Sequence, residues 1–234
     1  MKITILLLIL ATGLTCAAQH EKNDKFIPMV SHSIGASFQK FDGLNSRVAG
    51  LPQYKQLKEH AATLGLGWLK ERNRIISGGG VTIGSSMSGD RDEKSSTIRY
   101  FGLNADIGYD LLKSEKVMLY PLAGLGFQKY QAIFYKDNSA VDFDDVLESP
   151  TIQNNISSVR FNNSFFVYRV GIGFSVKSPK YPANSVGIQA GYSGSFKKNE
   201  WRSNENQALG NAPRDRIGQF FIGLVFTSKP MFMK

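Results

Sequence analysis

Hydrophobic and polar residues alternate without a break through the second half of the stretch from residue 161 to residue 176. Its apolar positions are Tyr168, Val170, Ile172, Phe174 and Val176, and the positions between them are Arg169, Gly171, Gly173 and Ser175. A period of two predicts a β-strand. The apolar face carries no charge and the other face is small or polar, which is the inverse of a soluble sandwich. We therefore expect a wall strand whose outside contacts lipid and whose inside lines a narrow, wet lumen.

Seven further stretches repeat this alternation and predict strands over residues 29–41, 61–69, 75–87, 98–111, 117–134, 185–196 and 216–227. Each stretch has one face that is mostly apolar and one that is small or polar. The polar residues predicted to face the lumen are Asp106, Asp110, Arg169 and Gln189. The residues predicted to face lipid are Tyr168, Val170, Ile172, Phe174, Phe220, Ile222 and Leu224.

The stretch at 117–134 is compatible with either face outward. We place Leu119, Ala123, Leu125 and Phe127 outside, since this leaves Gly124, Gly126 and Gln128 inside. Pro121 has no N–H to give to a sheet, so we expect it near a strand end or a bulge.

The connections between the predicted strands alternate in length. Residues 42–60, 136–160 and 197–215 form long connections, 88–95 a medium one, and 70–74, 113–116 and 177–184 short ones. Transmembrane barrels have short periplasmic turns and long external loops. The pattern therefore predicts an all-β fold, an eight-stranded antiparallel up-and-down transmembrane β-barrel with both termini on the periplasmic side. Eight strands leave an interior that side chains just fill, so we expect no aqueous pore.

The ends of the chain and the first long loop are predicted separately. Residues 1–18 have the charged start, apolar middle and small-residue end of a signal peptide, with cleavage before Gln19. Lipidation at Cys16 is the alternative. Residues 19–28 are expected to form a periplasmic leader, 29–228 the barrel, and 229–234 a tail. In the first loop, Leu51, Tyr54 and Leu57 recur at helical spacing, which suggests a short helix around 52–59.

Length and charge narrow the choice of partners. The 234 residues are compatible with one β domain. The formal net charge of +9 suits contact with lipopolysaccharide phosphates or anionic glycans, although a solvated basic surface is the simpler interpretation. The sequence has no basic and aromatic motif of a nucleic-acid-binding module, so no nucleic acid partner is expected.

Several local features give the chain a resemblance to known proteins. They are Ala18-Gln19 at the end of the leader, Tyr120-Pro121 followed by Gly124-x-Gly126, Gly171-x-Gly173, and the aromatic Phe226 in the last strand. On these features, residues 28–228 resemble the small outer-membrane barrels of the OmpA/OmpX type, and most closely the outer-membrane β-barrel family common in Bacteroidota. The resemblance implies a Gram-negative outer-membrane location.

Few residues suggest chemistry. His32 and Ser33 are the natural pair for a lipase-type site, but adjacent strand residues point to opposite faces. An acidic cluster at Asp142, Asp144, Asp145 and Glu148 could bind Ca²⁺, but it lacks the glycine of an EF-hand loop. We therefore predict no catalytic, metal or cofactor residues.

Two functional classes follow. The first is a non-enzymatic envelope barrel with a structural, adhesion or accessory role, for instance in a secretion or gliding apparatus. Its partners would be outer-membrane lipid, lipopolysaccharide, and envelope proteins reached through loops 42–60, 136–160 and 197–215. The alternative is a lipid-modifying barrel enzyme of the deacylase or acyltransferase type, which would need a His, Ser and acid cluster at the lumen or rim.

Overall fold

A computed structural model describes residues 29–90, 93–181 and 184–229. The predicted signal peptide at 1–18, the leader at 19–28 and residues 230–234 of the predicted tail lie outside this part of the chain.

The wall is a single closed sheet of eight long antiparallel strands. They are β1 (Met29–Gln39), β2 (His60–Arg72), β3 (Ile75–Gly89), β4 (Ser95–Tyr109), β5 (Val117–Tyr135), β6 (Val159–Lys177), β7 (Ser185–Ser195) and β11 (Gly218–Ser228). Each wall strand pairs with the next one along the chain, and β11 closes the sheet by pairing with β1. The predicted eight-stranded up-and-down barrel is confirmed.

The remaining elements all lie in the long connections. Three strands of two residues each, β8 (Asn199–Glu200), β9 (Arg202–Ser203) and β10 (Arg214–Asp215), follow β7. Helix α1 (Asp42–Ala49) follows β1, and helices α2 (Phe143–Glu148) and α3 (Pro150–Ile156) connect β5 to β6. None of the helices in the described residues is both long and apolar enough to cross a membrane.

The helix predicted around residues 52–59 is wrong. The helix of this loop lies earlier, over Asp42–Ala49, and residues 50–58 form turns and irregular chain. Leu44 and Val48 are four residues apart and share the buried face of α1. Leu57, which suggested the later helix, is buried against the same cluster from irregular chain.

Side chains alternate between the two faces of every wall strand. In β5 the outward Leu125 is exposed, while the inward Gln128 is buried. The orientation predicted for this strand is thus confirmed. Pro121 lies five residues into β5, just past Leu122, where the register with β4 ends. Its missing N–H therefore leaves the ladder with β4 intact.

The end of the barrel that carries both termini is closed by short turns. Between β2 and β3 only Asn73 and Arg74 lie outside the strands, with φ of 50° and 70°. Two successive residues in this region make the type I′ turn that suits a twisted hairpin. The Arg74 guanidinium donates to the carbonyl oxygens of Asp110 and Leu111 at 3.0 and 3.1 Å, which joins this turn to the next one.

Candidate functional site

The centre of the lumen holds an ion pair between the two strands that flank β5, where both residues are in register with Gly124. Arg169 on β6 donates from Nε to Asp106 Oδ1 on β4 at 3.1 Å. Asn104 donates to the other carboxylate oxygen at 2.8 Å, and the guanidinium stacks over the Phe221 ring at 4.5 Å. The side chains of Arg169 and Asp106 are only 13% and 12% exposed. The pair thus bridges three wall strands and leaves neither charge unpaired.

A chain of amides crosses the lumen between this pair and the end of the barrel that carries the long connections. Tyr130 Oη donates to Gln128 Oε1 at 2.9 Å, and Gln128 Nε2 donates to Gln219 Oε1 at 2.7 Å. Gln219 in turn donates to Gln39 Oε1 at 3.3 Å. All four residues are buried. These bonds link β5, β11 and β1 across the interior of the barrel.

An apolar layer closes the end of the barrel that carries both termini. It is formed by inward side chains of three strands, namely Leu69, Ile76, Met118, Tyr120 and Leu122. Beyond it, Lys177 Nζ lies 2.6 Å from Glu71 Oε2 across the rim. The cavities that line the lumen have volumes of about 100 and 70 Å³, and Arg169 borders both. Each has room for several water molecules.

The opposite end is covered by a cap, which consists of α1 and the connection between β7 and β11. In this cap an aspartate that is distant in the sequence binds the N-terminus of α1. No side chain of α1 or its flanking residues caps its first turn. Asp215 on β10 accepts hydrogen bonds from Gly43 N at 2.7 Å and Leu44 N at 3.1 Å instead. The same carboxylate accepts from Trp201 Nε1 at 2.6 Å. A carboxylate is favourable here because the first N–H groups of a helix are unpaired and carry partial positive charge.

Around this carboxylate the cap packs directly onto the top of the lumen. Trp201 is 1% exposed, and its ring lies edge-on to Phe41 at 5.8 Å, which in turn contacts Tyr130 at 5.3 Å. The buried cluster also contains Leu44, Val48, Leu57, Phe134, Phe165 and Ile217. The cap is therefore an extension of the barrel core and closes the lumen above the amide chain.

The outer wall is a continuous apolar band. Outward side chains of β6 run from Phe166 to Val176, about 33 Å along the strand and about 25 Å along the barrel axis at the usual tilt of about 40°. The other wall strands present similarly exposed aliphatic side chains, including Ile34, Leu64, Ile83, Leu103, Leu125, Ile188, Ile222 and Leu224. This height matches the hydrocarbon core that an outer-membrane barrel crosses. The chain is a small outer-membrane β-barrel.

Aromatic and basic residues mark the upper edge of the band. Tyr192 contacts both Tyr168 and Phe220 on its neighbouring strands, with ring centres 6.2 and 5.0 Å apart. On β4 and β5, Arg99 and Lys129 point outward and are exposed, two positions beyond the outward rings of Phe101 and Phe127. This order, aromatic rings and then cations, fits the boundary between acyl chains and phosphate headgroups.

The residues predicted for the two faces lie as follows. Asp106, Arg169 and Gln189 are on the inward face and border the larger lumenal cavity. Tyr168, Val170, Ile172, Phe174, Phe220, Ile222 and Leu224 are on the outward face. Asp110 is buried but lies in the turn after β4, where its carboxylate accepts from the N–H groups of Leu112 and Leu119 at 3.3 and 3.1 Å. It holds a turn together and does not serve the lumenal ion pair.

The positions considered for chemistry remain apart. His32 faces outward and Ser33 borders the lumen, and His60 is exposed at the start of β2. In the acidic loop, the N–H of Ser139 donates to Asp137 and holds the pKa of that carboxyl below its usual value. Within the described ranges, no three His, Cys, Asp or Glu side chains are grouped so that they could hold a metal ion.

Sequence reasoning missed the residues that build the cap. Asp215 and Trp201 lie in a connection predicted only as a polar loop, where no periodic pattern marks them. The available signal was the tryptophan itself, since such a large apolar side chain in a polar loop usually packs against something.

No protein-family model matches this chain, and no curated protein matches its sequence. Several solved structures are similar to it. Ail, the attachment invasion locus protein of Yersinia pestis, is 18% identical over 87% of this chain and 100% of its own, with a TM-score of 0.46. A major outer membrane protein of Thermus thermophilus is 11% identical over 86% and 99%, with a TM-score of 0.48. Neisserial surface protein A is 12% identical over 85% and 96%, with a TM-score of 0.44. The closed strand ladder and the apolar outer band of this chain establish its fold without these similarities.

Proposed function

We propose that the protein is a non-enzymatic outer-membrane barrel whose function resides in its extracellular cap. The observation that carries this proposal is the way the lumen is filled. An apolar floor, an ion pair, an amide chain and the buried cap follow one another along the axis, which argues against transport. The three longest connections converge on the cap end, where they form ordered elements. An adhesion or assembly role, exercised through loops 42–60, 136–160 and 197–215, fits this distribution best.

Contact with lipopolysaccharide is part of the proposal. Arg99 and Lys129 are diagonal neighbours on the outward face of β4 and β5, directly above the aromatic residues Phe101 and Phe127. Exposed cations at this height are placed to meet headgroup phosphates. Membership of the Bacteroidota barrel family, cleavage before Gln19 and the lipidation alternative at Cys16 remain predictions.

The lipid-modifying alternative has less support. A nucleophile, a base and a carboxylate must come within hydrogen-bond reach of one another. His32 faces lipid on the outer wall, while Ser31 and Ser33 on either side of it border the lumen, so neither adjacent pair can form such a site.

The test is reconstitution of the refolded protein into planar bilayers and into vesicles that contain lipopolysaccharide. We expect no stable conductance, and mass spectrometry should find the acyl chains of the lipids intact. Steady open-channel currents would overturn the closed-lumen argument. Loss of acyl chains that the folded protein causes and the heat-unfolded protein does not would establish the enzymatic alternative.

A further inference from the structure

An apolar pocket of about 270 Å³ opens on the cap. Its walls come from α1, the segment after it, the tops of β5 and β6, and the chain before β11, and they include Leu44, Val48, Leu51, Tyr54, Trp201 and Leu209. An apolar cavity of about 150 Å³ accommodates a benzene ring. This pocket therefore has room for an aromatic side chain together with an aliphatic neighbour.

One charged side chain, Arg47, is found among the described residues that line this pocket. Its Nη2 donates to Asn211 Oδ1 at 2.9 Å, and no carboxylate in the described ranges forms a salt bridge with it. The guanidinium is thus available to an incoming anion. A ligand that matches the pocket needs two or three apolar groups and a carboxylate beside them.

Helix α2 has this composition. Phe143 and Leu147 are four residues apart, on one side of the helix, and they are 74% and 65% exposed. Asp144, Asp145 and Glu148 lie beside them. Phe143 and Leu147 therefore form a small exposed apolar patch on an otherwise acidic helix, which a partner can cover. In its own chain α2 leaves both side chains outside the pocket, so each molecule presents both halves of a contact.

We propose that the pocket receives helix α2 of a second copy of this chain, presented from a facing membrane. Phe143 fills the pocket beside Trp201, Leu147 packs near Leu51, and an acidic side chain of α2 meets Arg47. The charges of the two surfaces are opposite, which selects α2 over a purely apolar segment. The inference rests on the proposed function, because both surfaces must face the outside of the cell. It makes homotypic adhesion the activity of the cap.

The experiment uses two variants of the full chain, refolded into lipid vesicles. Phe143→Glu removes the aromatic side chain that enters the pocket and leaves the pocket itself unchanged. Leu51→Glu places a carboxylate at the partly exposed edge of the pocket and leaves α2 unchanged. Tyr181→Ser is the matched control, since Tyr181 is an exposed aromatic residue in the turn between β6 and β7, at the opposite end of the barrel. Vesicle tethering is followed by dynamic light scattering, and heat-modifiable gel mobility verifies that each barrel is folded.

We expect wild-type and Tyr181→Ser vesicles to tether, and each glutamate variant alone to lose tethering at least ten-fold. A mixture of Phe143→Glu vesicles with Leu51→Glu vesicles should recover it, because the first supplies the pocket and the second the helix. Tethering should also weaken with added salt. The proposal is overturned if folded wild-type protein does not tether vesicles, if either variant alone tethers like wild type, or if the mixture stays dispersed. Each of these results leaves the closed-barrel proposal standing, since gel mobility and conductance test that separately.

Discussion

Arg169 and Asp106 lie 63 residues apart in the sequence, yet they form the central contact of the lumen, with 3.1 Å between Nε and Oδ1. Asn104 and the Phe221 ring complete the environment of the pair. Neither charge has another oppositely charged partner among the described residues. Removing one partner therefore leaves the other charge buried without a counter-charge. The resulting loss in the free energy of unfolding is larger than the net stabilisation that the pair provides.

We expect Arg169→Ala to lower the free energy of unfolding by about 2–4 kcal/mol, because it leaves the Asp106 carboxylate unpaired. Adding Asp106→Asn in the same chain should recover a large part of this loss. Urea titrations of protein refolded into vesicles, followed by heat-modifiable mobility, measure both effects. If the double variant is as unstable as the single one, the loss arises from packing against Phe221 and not from the stranded charge.

The same strand provides a test of the lipid-facing side. Ile172 is outward and half exposed near the middle of the apolar band, so Ile172→Arg should destabilise the barrel in lipid by about 2–4 kcal/mol. Ser164→Arg is the matched control, because Ser164 is also outward on β6 but pairs with Lys129, above the band. The control should unfold like wild type. Equal effects of the two substitutions would contradict the proposed position of the membrane.

Crowding inside the lumen is tested with two glycines. A Cβ placed on Gly173 would overlap the ring of Tyr120 in the apolar floor, whereas one on Gly102 would meet its nearest atom, Cγ of Gln128, at 3.6 Å. We expect Gly173→Ala to cost about 1–3 kcal/mol through overpacking and Gly102→Ala to cost little. In a Tyr120→Leu background the Gly173→Ala penalty should shrink. The same urea series measures it, and an unchanged penalty would point to a backbone effect.

The cap can be tested separately from the wall. Asp215→Ala removes the acceptor for the first N–H groups of α1 and for the Trp201 indole, so we expect the cap to loosen while the barrel stays folded. In a Trp68→Phe background the fluorescence reports Trp201, and acrylamide should quench it several-fold more strongly in the variant. Glu200→Ala is the control, because Glu200 pairs with Arg214 at an exposed site in the same connection. Equal quenching in Asp215→Ala and Glu200→Ala would show that Asp215 does not hold the cap.

The sequence by itself determined the wall of this protein. In a strand the side chains alternate with a period of two, so the pattern Tyr168, Val170, Ile172 and Phe174 against Arg169 and two glycines indicates both the strand and its orientation. Eight such patterns with alternating loop lengths were sufficient to predict the barrel. Asp106 and Arg169 could be placed inside because charges avoid the lipid face.

Only the tertiary structure decided what closes the barrel. The cap depends on Asp215 reaching a helix that begins 173 positions earlier, at Asp42. The local sequence of neither segment predicts this contact. Helix α1 has no side-chain cap of its own, and the helix predicted from the sequence began ten residues too late. Asp110 likewise falls at a position where the alternation of β4 predicts an inward side chain, but β4 ends one residue before it. Its carboxylate accepts hydrogen bonds from N–H groups of the following turn and of β5. Periodicity is a local property of a regular strand, whereas hydrogen bonds between loops depend on where the closed barrel brings them together.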